Sequence, residues 1–116
     1  MSMVVRMQVG TGRFALPVES VREISRLGAI SPVPGAGDVV LGVRNLRGQV
    51  LPVFDLAALL GVAAGQPTRI VVAEEGGHRA GLAIDAVTDV ADDGSPAFQL
   101  IDVPGLFAAL QERATP

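Results

Sequence analysis

Turn signals divide this chain into short apolar runs, and that constrains its fold more than any other feature. Gly10-Thr11-Gly12, Arg47-Gly48 and Gly76-Gly77 each separate two runs of strand length, the spacing that closes hairpins. MVVRMQV (3–9) and RFALPV (13–18) form the first expected pair. DVVLGVRNL (38–46) and QVLPVF (49–54) form the second, and TRIVVAEE (68–75) and HRAGLAID (78–85) the third. ESVREIS (19–25) predicts one or two helical turns, because Val21 and Ile24 then share a side. The prolines of AISPVPGAG (29–37) keep that stretch extended and then looped. Asp55 stands where a helix N-cap belongs, Leu56, Leu59 and Leu60 follow at helical spacing, and Gly61 supplies the stop. AVTDV (86–90) reads as extended or a short turn, ADDGSPA (91–97) as loop and FQLI (98–101) as a last strand. Asp102 then precedes a helix over about 104–112 that carries Leu106, Phe107 and Leu110. The pattern predicts a mainly β chain, an antiparallel barrel or sandwich rather than βαβ units.

A chain of 116 residues makes one domain, expected over 1–116 with an ordered core of about 3–112. Hydrophobic residues are 49% of it but only four are Phe, with no Trp or Tyr; the core is therefore built from Val, Leu, Ile and Ala. The net charge of −3 and the lack of basic–aromatic interleaving argue against nucleic acid as a partner. The absence of Cys removes disulfides, thiolate catalysis and Cys-ligated zinc. The opening MSMVVRMQVG is too short and too interrupted by Arg6 and Gln8 for a signal peptide, and no run is long enough for a membrane span. The expectation is a cytoplasmic protein without membrane insertion.

Motifs for catalysis are weak. GTGRFA (10–15) has the shape of a dinucleotide fingerprint, but that motif opens a helix, whereas RFALPV is strand-like and contains Pro17. DVADDG (89–94) starts like a calcium loop, yet the third and twelfth positions hold Ala91 and Leu100 in place of oxygen ligands. His78 is the single histidine and sits beside a turn. Carboxylate chemistry at Asp85 or Asp89 is the enzymatic alternative; it requires a concave pocket and a perturbed carboxyl group. Acidic residues at strand ends are more often turn formers.

GVRNLRGQVLPVFDLAALLG (42–61) poses the sharper question, since it sets Arg44, Asn45 and Arg47 amid apolar residues. On a strand, Gly42, Arg44 and Leu46 share one face, and Leu41, Val43, Asn45 and Arg47 share the other. Arg47 is either an ordinary turn residue or a cation displayed at a rigid hairpin tip beside apolar groups, where Arg makes a good protein–protein anchor.

FALPVESVREI (14–24), ISPVPGAGDVVLGVRNLRGQVLPVFDLAALLG (30–61) and RAGLAIDAVTDV (79–90) together resemble the CheW family of chemotaxis coupling proteins. The resemblance runs from about residue 3 to 110, and its G-V-x-N-L-R-G-x-V-x-P-V-x-D-L segment is highly specific. It implies a CheW-like fold of two small five-stranded β-barrels with short helices. It implies an adaptor with no catalytic site, cofactor or metal, linking the cytoplasmic hairpin tip of a chemoreceptor to the regulatory domain of a histidine kinase. Other CheW-like proteins are implied partners within receptor arrays. The residues it marks for protein contact are Glu23, Val39, Val43, Asn45, Leu46, Arg47, Gly48 and Val87. One departure stands out. Family members carry a longer segment, with strand material, where this chain has only ADDGSPAFQL (91–100). One barrel is therefore expected to be abbreviated, and kinase docking weakened. Short members of this kind look like the coupling proteins of the myxobacterial Frz gliding-motility system.

Overall fold

In a computed structural model, which describes residues 2–92 and 94–114, nine strands form two sheets. The strands are β1 (Met3–Val9), β2 (Gly12–Pro17), β3 (Val21–Arg26), β4 (Val40–Leu46), β5 (Gln49–Asp55), β6 (Arg69–Glu75), β7 (His78–Ile84), β8 (Ala86–Asp92) and β9 (Gln99–Leu100). The helices are α1 (Leu56–Leu60) and α2 (Val103–Ala114). All three expected hairpins are present, as antiparallel β1–β2, β4–β5 and β6–β7. The order β8-β1-β2-β9 makes a four-stranded sheet, and β3-β6-β7-β5-β4 a five-stranded one.

The helical reading of 19–25 is corrected. Val18–Ser20 is a single 3-10 turn, and Val21–Arg26 is a strand on β6. A bulge at Arg22 explains the misleading signal: Val21 opposes Ala73 and Ile24 opposes Val71. The extra residue puts two side chains three apart on one face, as a helix would. AVTDV is also fully strand, and β8 continues through Asp92 into the segment expected to be loop. Asp93 of that segment lies outside the described residues.

Side chains on the facing surfaces of the two sheets make the larger core. Met7, Val9, Phe14 and Leu16 come from one sheet, Phe54, Val71, Leu82 and Ile84 from the other, and Phe107 and Leu110 of α2 close one end. The opposite face of the five-stranded sheet curls around a smaller core of Leu51, Val53, Ile70, Val72 and Ala83, capped by Leu27, Ile30, Leu41 and Leu46. That is a barrel interior in miniature.

α1 forms as its sequence requires. Asp55 is extended, with φ −80° and ψ 103°, its carboxylate accepts from Ala58 N, and Gly61 ends the helix at φ 72°. Leu56 rather than Leu59 is the buried knob: Leu56 is 0% exposed, whereas Leu59 is only partly buried.

Candidate protein-binding site

The charged residues of the 42–61 segment close a seam. β3 and β4 are the outermost strands of the five-stranded sheet. Among the described residues no backbone ladder joins them. Instead Arg44 Nη1 donates to Arg26 O at 2.6 Å, Leu27 O at 3.2 Å and Ser25 Oγ at 3.3 Å. Arg47 Nη1 donates to Glu23 Oε1 at 2.6 Å. These two rungs lace β4 to β3 and the strand end that follows.

Gly42 makes room for the connection that follows β3. It sits at φ 147°, and a Cβ there would stand 2.2 Å from Ser31 O. Ser31 exchanges two backbone hydrogen bonds with Val43, both 2.9 Å, so the 27–39 connection runs against the edge of β4. Asn45 serves the turn: its Oδ1 accepts from Gly48 N at 2.9 Å. Arg47 and Gly48 lie at φ 50° and 82°, the left-handed pair of a two-residue hairpin turn. Arg47 accepts the backbone strain that most residues avoid, and its side chain is 77% exposed.

The structure brings together part of the expected contact set. Glu23 and Arg47 are an ion pair, and Leu46 packs on the barrel interior next to them. Asn45 and Gly48 build the turn. Val43 is half-buried opposite Pro52, while Val39 is buried at 7% exposure and accepts from Asp55 N at 2.8 Å. Val39 is therefore a support beneath the surface. Val87 belongs to the other sheet and packs at the margin of the intersheet core.

Sequence reasoning missed Ile24 and Val90, which are 40% and 53% exposed. Ile24 opposes Val71 on β6, and Val90 opposes Val5 on β1, while Val87 opposes Met7. All three point to the side on which the two sheets face each other, and each sits on an outermost strand. The V-x-E-I spacing held this signal, but a helical reading hid it.

The carboxylates of the enzymatic alternative are occupied otherwise. Asp85 accepts from Gly10 N and Gln66 N, both at 2.7 Å, and its backbone O accepts from Thr68 Oγ1 at 2.6 Å. It ties the β1–β2 turn and the 62–67 loop to the corner between β7 and β8. A Cβ on Gly65 would stand 2.0 Å from its Oδ2, so Gly65 is required for that approach. Asp89 makes a bidentate pair with Arg6, at 2.6 and 2.5 Å. The hydrogen bond from Arg6 holds its carboxyl below the usual carboxylate range, away from where a general acid or base at neutral pH must titrate. Among the described residues no group of three or more His, Cys, Asp or Glu is placed to hold a metal ion, and no helix is long and apolar enough to cross a membrane.

Comparison with known proteins agrees with this architecture. The family model described as "CheW-like domain" matches residues 3–109. The chemotaxis protein CheW of Rhizobium meliloti is 42% identical over 89 residues, which are 74% of this chain and 57% of that protein. The protein FrzA of Myxococcus xanthus is 37% identical over 83 residues, 69% of this chain and 52% of that protein. The chain thus spans a little over half the length of these curated relatives. The crystal structure of the scaffolding protein TtCheW from Thermoanaerobacter tengcongensis superposes with a TM-score of 0.72 at 29% identity, covering 78% of this chain and 64% of that one.

Proposed function

Because this chain belongs to the CheW-like domain family, we propose that it is a non-enzymatic adaptor of a bacterial chemosensory array, working in the cytoplasm and recruited to chemoreceptors. The observation that carries this reading is the Glu23–Arg47 pair at the hairpin tip, next in sequence to Ile24 at the exposed apolar margin between the sheets. A helical hairpin tip fits such a surface: its apolar ridge lies against Ile24, Val87 and Val90, and Arg47 and Glu23 meet its polar side chains. Leu46 and Val43 flank the turn that presents Arg47.

The 39–48 segment is intact and belongs to the five-stranded sheet. The shortened segment falls in the four-stranded sheet, so receptor binding is retained and docking to the kinase regulatory domain is weak or lost. The protein then acts as a receptor-side connector alongside longer CheW-like proteins. The 37% identity to FrzA supports a place in a motility system of the Frz kind.

Co-purification with the receptor tip and with the kinase regulatory domain, tested separately, decides the matter. Retention on the receptor alone is expected. Arg47→Glu should abolish that retention while leaving the melting temperature nearly unchanged; unaltered retention removes the anchor role. Micromolar calorimetric binding to the kinase domain, matching a longer paralogue, would overturn the connector reading.

A further inference from the structure

A second surface opens at the mouth of the five-stranded barrel. β5 and β7 run parallel and share a ladder only where Val53–Asp55 meets Gly81–Ala83. Ahead of that point the strands part. Residues 49–52 pair with β4 and residues 78–80 with β6, and among the described residues no ladder spans the gap between them. A cleft of about 470 Å³ fills this gap, with Leu46, Val50 and Leu51 on one side and Glu74, His78 and Arg79 on the other. Val50 is 70% exposed, the highest value among the exposed large apolar residues described.

Glu74 anchors a small charge cluster at the cleft. Glu74 accepts from Arg79 Nε at 2.8 Å and from Arg22 Nη2 at 3.1 Å. These two hydrogen bonds, Arg79's foremost, hold its carboxyl below the usual range. One carboxylate thus serves two guanidinium groups, whose side chains are 51% and 50% exposed. Each guanidinium has five donors and spends one on Glu74. Arg79 lines the cleft and Arg22 meets Glu74 from just beyond that lining, so a cluster of two cations and one carboxylate, with unused planar donors, lies beside an apolar wall.

We infer that this mouth docks a loop of a protein partner that carries a carboxylate next to an apolar side chain. The apolar group covers Val50 and Leu51, and the carboxylate takes the spare donors of Arg79 and Arg22, the geometry in which Arg binds carboxylates best. The parted strand edges offer backbone groups to the loop. Pro52, which has no N–H, marks where such pairing stops. Of the receptor-contact set only Leu46 also lines this cleft, and Glu23, Ile24, Val87 and Val90 do not, so binding at the mouth is distinguishable from the receptor reading.

The test is an amide-resonance titration of the isotope-labelled full chain. The probe is a cyclic turn peptide with adjacent Leu and Asp; the control carries Lys in place of Asp. Shifts centred on residues 46, 49–51, 74 and 77–80, with Arg22 also affected, are expected, with about tenfold weaker binding of the Lys peptide. Arg79→Ala combined with Arg22→Ala should weaken the Asp peptide about as much, while resonances away from the mouth stay in place and report an intact fold. Equal binding of the two peptides, shifts centred on Ile24, Val87 and Val90, or no shifts at millimolar peptide would each overturn the inference.

Discussion

The five-stranded and four-stranded sheets begin from similar hairpins and differ in how each treats its second face. The five-stranded sheet wraps Leu51, Ile70 and Val72 and closes its seam with Arg44 and Arg47. On the four-stranded sheet, Val4 and Ala15 are buried under the segment that follows β8, around a cavity of only about 20 Å³. There Arg6 lies 4.9 Å from the Phe98 ring centroid and is clamped on Asp89. Among the described residues this second face is covered by a cation–π contact, an ion pair and the short segment after β8 rather than by further strands. Its edge strand β8 carries a bulge at Thr88 and the exposed Asp89 and Asp92, features that discourage edge-to-edge association. A sheet face can thus be covered by polar side chains while a bulge and charges blunt the edge. A seam, likewise, can be closed by two arginines.

The largest contrast is expected from one substitution made in both sheets. Val72→Ala, inside the five-stranded sheet's smaller core, should cost roughly 2–3 kcal/mol in denaturant unfolding, because Val72 is fully buried on a strand paired on both sides. Val4→Ala should cost about 1 kcal/mol, because the short covering segment can settle into the space. Equal costs would mean that the second face of the four-stranded sheet is packed as firmly as that of the five-stranded one.

Asp85→Ala leaves the N–H groups of Gly10 and Gln66 without their partner; a loss of roughly 2 kcal/mol is expected. Hydrogen exchange should rise at the β1–β2 turn and in 62–67, and a rise limited to one of them would show that Asp85 does not link them. Asp55→Ala should cost about 1 kcal/mol through the lost cap, read as a fall in melting temperature.

Asp89→Asn acts on the four-stranded sheet alone. Because Arg6 lowers the folded-state pKa of Asp89, the pair contributes stability above the ordinary value of 3.8 and loses it as pH falls through the folded pKa. Wild type and Asp89→Asn should therefore differ at neutral pH and converge in acid. A gap that persists in acid would place the effect outside the ion pair. Arg47→Ala should change stability least, by less than about 1 kcal/mol, since the pair it breaks is exposed. A larger loss would make Arg47 chiefly a seam residue.

Much of this was legible in local signals. The three hairpins and the Asp55 cap depend on a few adjacent residues, whose turn and capping preferences act at short range. Arg47 stood out as a cation at a hairpin tip and Glu23 through the family resemblance, but that they pair was not visible, because 24 residues separate them. β3 was misread because a bulge imitates helical spacing, and Ile24 was lost with it. Nor did the alternation of β4 reveal that Arg44 hydrogen-bonds backbone carbonyls.

The sequence by itself determined the β character, the turn positions, the capped helix and the family, since each is written in residues close together along the chain. Only the tertiary structure decided which strand edges meet, that arginines lace the seam, that Asp85 joins a turn to a loop, and where a barrel mouth stays open. Those outcomes depend on pairings between distant segments, and each is fixed by which backbone groups still lack a partner once the local elements have formed.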